Sequence, residues 1–160
     1  MEEIHNIEAK VSTLQLRNII FKFGFISCSL YIAFLLLMKM CGFMQITELR
    51  TVNYLILGAV GFYEIGQVVK REHGYISFLT VLSTVFFTGL FSFFLFSIFT
   101  FMYSKIDVEM ADLLLKSTQN FITSMPSIVI LFEGSAASII VAFICMQYFR
   151  KFEEGEVKVN

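Results

Sequence analysis

Charged side chains are scarce in this sequence. They make up 16% of its 160 residues, whereas a soluble domain, whose exterior faces water, carries about 25%. The charges cluster at the chain ends and in a few short breaks, which leaves long uncharged runs between them. With 57% hydrophobic residues and a mean hydropathy of +0.76, the composition excludes an ordinary soluble domain. It predicts a protein whose exterior faces membrane lipid.

The sequence also has no marked excess of positive or negative charge. The net charge is −1, without a basic block or an acidic tail, so we expect no nucleic-acid partner. The three cysteines, Cys28, Cys41 and Cys145, are odd in number and lack CxxC spacing. They predict free thiols and no disulfide or metal framework.

The residues that membrane enzymes commonly use are rare as well. The two histidines, His5 and His73, lie outside the long apolar runs, where they cannot ligate a haem held between membrane helices. Asp107 and Asp112 are the only aspartates, and neither an HExxH motif nor a glycine-rich phosphate loop is present. We therefore expect no enzymatic activity, no cofactor and no metal site.

Four runs are long enough to cross a membrane, because a core of about 30 Å needs roughly 20 helical residues. The predicted crossings are 19–38, 51–69, 75–104 and 127–149, which makes residues 1–160 a single all-α membrane domain, a four-helix bundle. The third run has thirty uncharged residues, and a helix of that length measures about 45 Å. Tilt alone does not fit it into the core, so part of it is expected to protrude or to lie in the interface.

Two further segments have the pattern of amphipathic helices. Residues 3–16 carry apolar side chains at helical spacing, and residues 107–124 have an apolar stripe opposite a polar face. Asp107 is the predicted N-cap of the second segment, and Pro126 the break before the fourth crossing. Either segment is expected to lie on the membrane surface or pack on its neighbours. A face that docks a protein partner is the alternative.

The distribution of basic residues predicts the orientation. One side of the four crossings receives eight of them, Lys10, Arg17, Lys22, Lys70, Arg71, Arg150, Lys151 and Lys158, and the other receives four, Lys39, Arg50, Lys105 and Lys116. The first side, with both termini, is expected to face the cytoplasm. Glu2, Glu3 and Glu8 open the chain and no small-residue cleavage site follows, so we expect no cleaved signal peptide.

Two acidic residues lie inside predicted crossings, Glu64 in the second and Glu133 in the fourth. A charge at mid-membrane costs about 2.5 to 3.5 kcal/mol, so each acid needs an explanation. Lys22 and Lys39 lie at comparable depths on the first crossing. The favoured interpretation is two pairs that fix helix register, Lys22–Glu64 and Lys39–Glu133, or acids that reach to the interface. The alternative is a relay for protons or cations.

Small residues indicate where helices approach closely, because packing in lipid depends on van der Waals contact. Gly134, Ser138 and Ala142 recur every four residues on the fourth crossing, Thr84, Thr88 and Ser92 do so on the third, and Gly58 and Gly61 lie on the second. We predict that they pack helices within one chain. An interface between copies in a homo-oligomer is the alternative.

Three short stretches carry recognisable motifs: Lys70–Phe78, with a basic turn, a glycine and an Ile-Ser-Phe helix entry; Tyr103–Asp107; and Ser138–Ala142 followed by Arg150 and Lys151. Together they resemble a bacterial family common in the Bacteroidetes, domain of unknown function 4199 (DUF4199). The similarity extends roughly from Arg17 to Lys151, although Val108 stands where the family often has proline. The resemblance implies four membrane helices and no assigned activity.

The sequence therefore predicts a structural or accessory subunit of an envelope complex, held in the inner membrane and bound to a protein partner. The rival prediction is a small proton- or cation-coupled transporter that uses Glu64 or Glu133. Such transporters are often built from internal repeats and broken helices, and the sequence shows no convincing repeat between its halves.

Overall fold

Four long helices make up the computed structural model, which describes residues 2–43, 51–71, 77–107 and 126–149. They are α1 (Glu2–Met40), α2 (Val52–Arg71), α3 (Phe78–Ile106) and α4 (Pro126–Phe149). Each contains a stretch that is long and apolar enough to cross a membrane. The predicted all-α architecture of four membrane-spanning helices is confirmed.

The first helix is longer than predicted. α1 is one continuous helix of 39 residues, so the predicted amphipathic segment 3–16 and the first crossing form a single element. The sequence explains this continuity, because the first glycine is Gly24 and the only proline is Pro126, so neither residue type interrupts the helix early. α1 ends in a Schellman motif: Gly42 has φ +73° and the N–H of Phe43 bonds the carbonyl of Met38 at 3.0 Å.

The third helix begins and ends later than the predicted crossing at 75–104. It starts after Ser77, whose carbonyl accepts from the N–H groups of Thr80 and Val81, and it runs for 29 residues. Asp107, predicted to cap a following helix, is the C-cap of α3, and its N–H donates to the carbonyl of Tyr103 at 3.0 Å. The rest of the predicted amphipathic segment at 107–124 lies outside the described residues.

The helices pack with α3 between α1 and α4, and with α2 against all three others. The core positions of α3 recur at helical spacing, with Val81, Val85 and Phe93 almost fully buried. Large apolar side chains also cover the exterior: Phe132 is 71% exposed and Leu55 69%. An apolar exterior of this kind is expected where lipid is the solvent.

Candidate functional site

Among the carboxyl groups whose burial the structure describes, Glu64 alone is fully buried. It projects from α2 and is 0% exposed. The hydroxyl of Thr88 on α3 donates to its Oε1 atom at 2.7 Å, whereas Oε2 is buried without a hydrogen-bond partner. Gly61, one turn earlier on α2, keeps this region tight, because a Cβ atom there would lie 3.2 Å from Val85 and 3.5 Å from the Cys145 sulfur.

Thr88 belongs to a stripe of hydroxyl side chains on α3. Thr84, Thr88 and Ser92 are spaced four residues apart, and all are fully buried. Ser92 donates to the carbonyl of Gly89 in its own helix at 2.9 Å. The Thr84 hydroxyl has no hydrogen-bond partner among the described residues. Among the described residues, Glu64 therefore contacts the Thr88 hydroxyl and forms no ion pair with a basic side chain.

Two polar side chains of α1 face the same interior. Ser27 and Tyr31 are fully buried, and neither hydroxyl oxygen has a hydrogen-bond partner among the described residues. The Tyr31 ring is fixed by aromatic contacts, stacked on Phe93 at 4.9 Å and edge-on to Phe96 at 5.6 Å between ring centroids. Both positions were missed from the sequence. A signal was present, since Ser27 and Tyr31 are one helical turn apart in an apolar run.

The Oε2 atom of Glu64, buried without a hydrogen-bond partner among the described residues, is unusual for a carboxyl group. Buried polar groups in proteins are nearly always hydrogen-bonded to protein or to ordered water, and a carboxylate without a counter-ion is costly to bury. The Oε2 atom of Glu64 therefore suits a proton, a water molecule or a small cation. Within the described residues, no group of three or more His, Cys, Asp and Glu side chains is placed to hold a metal ion.

The predicted pair between Lys22 and Glu64 is wrong. Lys22 is exposed, and its Nζ atom lies 5.8 Å from the ring centroid of Phe23. Phe23, and not Lys22, enters the core, with 3% of its surface exposed. Neighbouring helical residues point about 100° apart, so a lysine at the right depth is turned away from the acid.

The predicted pair between Lys39 and Glu133 is also wrong. Lys39 forms an ion pair with Asp107, and its Nζ atom donates to the Tyr103 hydroxyl at 3.2 Å. Glu133 is exposed and accepts a hydrogen bond from the Tyr54 hydroxyl. The cause is the greater reach of α3, which brings Asp107 beside the end of α1. Tyr54, Tyr103 and Asp107 were not identified as partners from the sequence.

The small residues of α4 lie in its interface with α3. Gly134, Ser138 and Ala142 are all buried. A Cβ atom on Gly134 would overlap the ring of Phe93, and one on Gly89 would lie 2.7 Å from the Cβ atom of Ser138. The Ser138 hydroxyl donates to the carbonyl of Gly134 at 2.7 Å. Close approach of these two helices thus depends on small side chains on both.

Comparison of the chain with family models, curated proteins and solved structures gives no match. The resemblance to DUF4199 stays a prediction.

Proposed function

We propose that the chain is an inner-membrane protein with a structural or accessory role in an envelope complex, as membership of DUF4199 would allow. The observation that supports this proposal is the use of polar side chains as links between helices. Lys39 joins α1 to α3 through Asp107, Tyr54 joins α2 to α4 through Glu133, and Thr88 joins α3 to α2 through Glu64.

These links matter because lipid gives helices no hydrophobic reason to associate. Van der Waals packing and polar contacts between helices hold a membrane bundle in one arrangement. Here the acidic side chains at 64, 107 and 133 each contact a neighbouring helix. A bundle held in this way is suited to present a fixed surface to a partner, which is the role of an accessory subunit.

Affinity purification from native membranes in a mild detergent tests this role. We expect a second protein to co-purify in a fixed ratio and to remain bound on size-exclusion chromatography. Recovery of the chain alone, under conditions in which known membrane complexes of the same cell stay intact, would contradict the accessory role.

The proposed orientation has both termini and residues 70–74 in the cytoplasm, with residues 106–125 facing outward. Single cysteines in a variant without Cys28, Cys41 and Cys145 would test it, with one at position 73 and one at position 116. In intact spheroplasts, an impermeant thiol reagent should label only the cysteine at position 116. Labelling at position 73 instead would show that the protein has the opposite orientation.

A second candidate is a proton- or cation-coupled carrier centred on Glu64. The specific observation in its favour is the Oε2 atom, which is buried without a hydrogen-bond partner among the described residues. The Glu64→Gln variant separates the two candidates, because an amide cannot carry the proton. A structural role predicts normal abundance and a retained partner. Normal abundance with complete loss of the gene's phenotype would favour the carrier.

A further inference from the structure

The outer face of α3 forms the floor of a groove between α1 and α4, with a volume of about 510 Å³. We call it the α1–α3–α4 groove. On α3 its floor is a stripe of apolar side chains from Phe87 to Phe94, and α4 contributes Leu131 and Phe132 as one wall. Ser135 also lines it, but its hydroxyl donates to the carbonyl of Leu131 at 2.7 Å. The walls are therefore apolar.

A glycine on α1 makes the floor continuous. The Phe91 ring occupies the space that a side chain at Gly24 would need, since a Cβ atom there would lie 2.5 Å from Cδ1 of Phe91. The same ring is edge-on to Phe21 at 4.9 Å and to Phe25 at 5.4 Å between centroids. These contacts close the seam between α1 and α3, so a flexible chain would lie along an unbroken aromatic surface.

One basic side chain stands at the end of this apolar surface. Arg17, Ile20 and Phe21 share one face of α1 and line the groove. Arg17 is exposed and lies at the start of the membrane-spanning stretch Leu16–Met40. From Arg17 to Phe25 the helix rises about 12 Å, which approaches the thickness of one leaflet, about half of the 30 Å core.

We propose that the α1–α3–α4 groove binds one anionic phospholipid, with an acyl chain along the aromatic floor and the phosphate at Arg17. A guanidinium group recognises phosphate through two parallel hydrogen bonds, and basic pockets between membrane helices are known sites for anionic headgroups. The lipid lies in the leaflet on the Arg17 side, which is cytoplasmic in the proposed orientation. A single cation above a long apolar groove matches the charge distribution of such a lipid.

Tryptophan fluorescence in reconstituted vesicles tests this site cleanly, because the chain contains no tryptophan. The F94W variant places a reporter in the groove, where Phe94 is 49% exposed, and the L55W variant places one on α2, where Leu55 is 69% exposed. Each is reconstituted in equal parts of phosphatidylglycerol and phosphatidylcholine. Bromine on the acyl chains of one lipid or the other quenches tryptophan that it contacts.

We expect the F94W protein to prefer phosphatidylglycerol about fivefold, the equivalent of the ~1 kcal/mol that one basic residue contributes near an anionic surface. For the L55W protein, the preference for phosphatidylglycerol over phosphatidylcholine should be a ratio near one. Adding Arg17→Gln to F94W should abolish the preference. Adding Lys22→Gln should leave it unchanged, since Lys22 is exposed on the same helix but does not line the groove.

Equal quenching by both lipids in the F94W protein would overturn the proposal, as would the same preference in the L55W protein. A preference that survives Arg17→Gln would also overturn it. The comparison of F94W with L55W requires no change at Arg17, so the proposal stays testable even if Arg17→Gln fails to fold.

Discussion

The middle of the bundle and the end at which α1 and α3 terminate, which is the outer end in the proposed orientation, hold their helices together in different ways. In the middle, Glu64 and Thr88 are fully buried beside an interface between α3 and α4 that is closed by small side chains. At the outer end, the Lys39–Asp107 pair is partly exposed, with 29% and 21% of the side chains accessible, and Glu133 is exposed. A polar contact of the same kind is expected to contribute more to stability in the middle, because a polar group that loses its partner there cannot form a hydrogen bond with water instead.

The largest effect is expected at the tight interface in the middle. Ser138→Leu adds a branched side chain where a Cβ atom on Gly89 would already lie 2.7 Å from the Cβ atom of Ser138. Overpacking costs about 1–3 kcal/mol and at times more, so we expect a lower melting temperature in detergent and lower abundance. Ile140→Leu is the matched control, because Ile140 is 61% exposed on the same helix. A Ser138→Leu protein as heat-resistant as the parent would show that this interface is not tight.

The next effect should come from the hydrogen bond to Glu64. Thr88→Val keeps the shape of the side chain and removes the donor to Oε1. An unsatisfied buried group costs about 1–3 kcal/mol, so the melting temperature should fall, whereas Thr88→Ser, which keeps the hydroxyl, should lower it less. Combining Thr88→Val with Glu64→Leu should restore most of the loss, because both partners are then apolar. A double variant less stable than Thr88→Val alone would show that Glu64 makes a stabilising contact besides its hydrogen bond with Thr88.

A smaller effect is expected for the ion pair at the outer end. Lys39→Gln removes the charge that meets Asp107 and weakens the contact with Tyr103. Partly exposed pairs contribute about 0–1 kcal/mol, so the melting temperature should change less than in Thr88→Val. The exchange of both residues, Lys39→Asp with Asp107→Lys, should recover part of the loss. An effect larger than that of Thr88→Val would reverse the ranking of the two regions.

The sequence predicts the number of helices well because hydropathy and length are local properties. It fails at the partners of the charged residues because those depend on helix rotation and on where helices end. Lys22 has the right depth for Glu64, yet its neighbour Phe23 takes the inward position. Lys39 meets Asp107 because α3 ends at Ile106. Neither the rotation of α1 nor the end of α3 is determined by local apolarity.

The small residues were predictable for a physical reason that is also local. Gly134 and Ser138 recur at helical spacing in an otherwise bulky sequence, and the structure places both against α3. Their counterparts on α3, Gly89 and Phe93, were not predicted. A stripe of small side chains marks a face, but which residue fills it depends on the register of two helices.

The smallest effect is expected for Glu133→Gln, which separates the two acids that look alike in the sequence. Glu133 is exposed and accepts from the Tyr54 hydroxyl. A glutamine carbonyl can accept the same hydrogen bond, so the contact with Tyr54 loses the additional strength of a charged acceptor, which in an exposed position is a few tenths of a kcal/mol. We therefore expect a melting temperature within about one degree of the parent. Tyr54→Phe, which removes the donor, is the matched comparison and should have an effect of similar size. A large loss of stability in Glu133→Gln but not in Tyr54→Phe would mean that the charge itself holds the outer end together, and the contrast between the exposed end and the buried middle would fail.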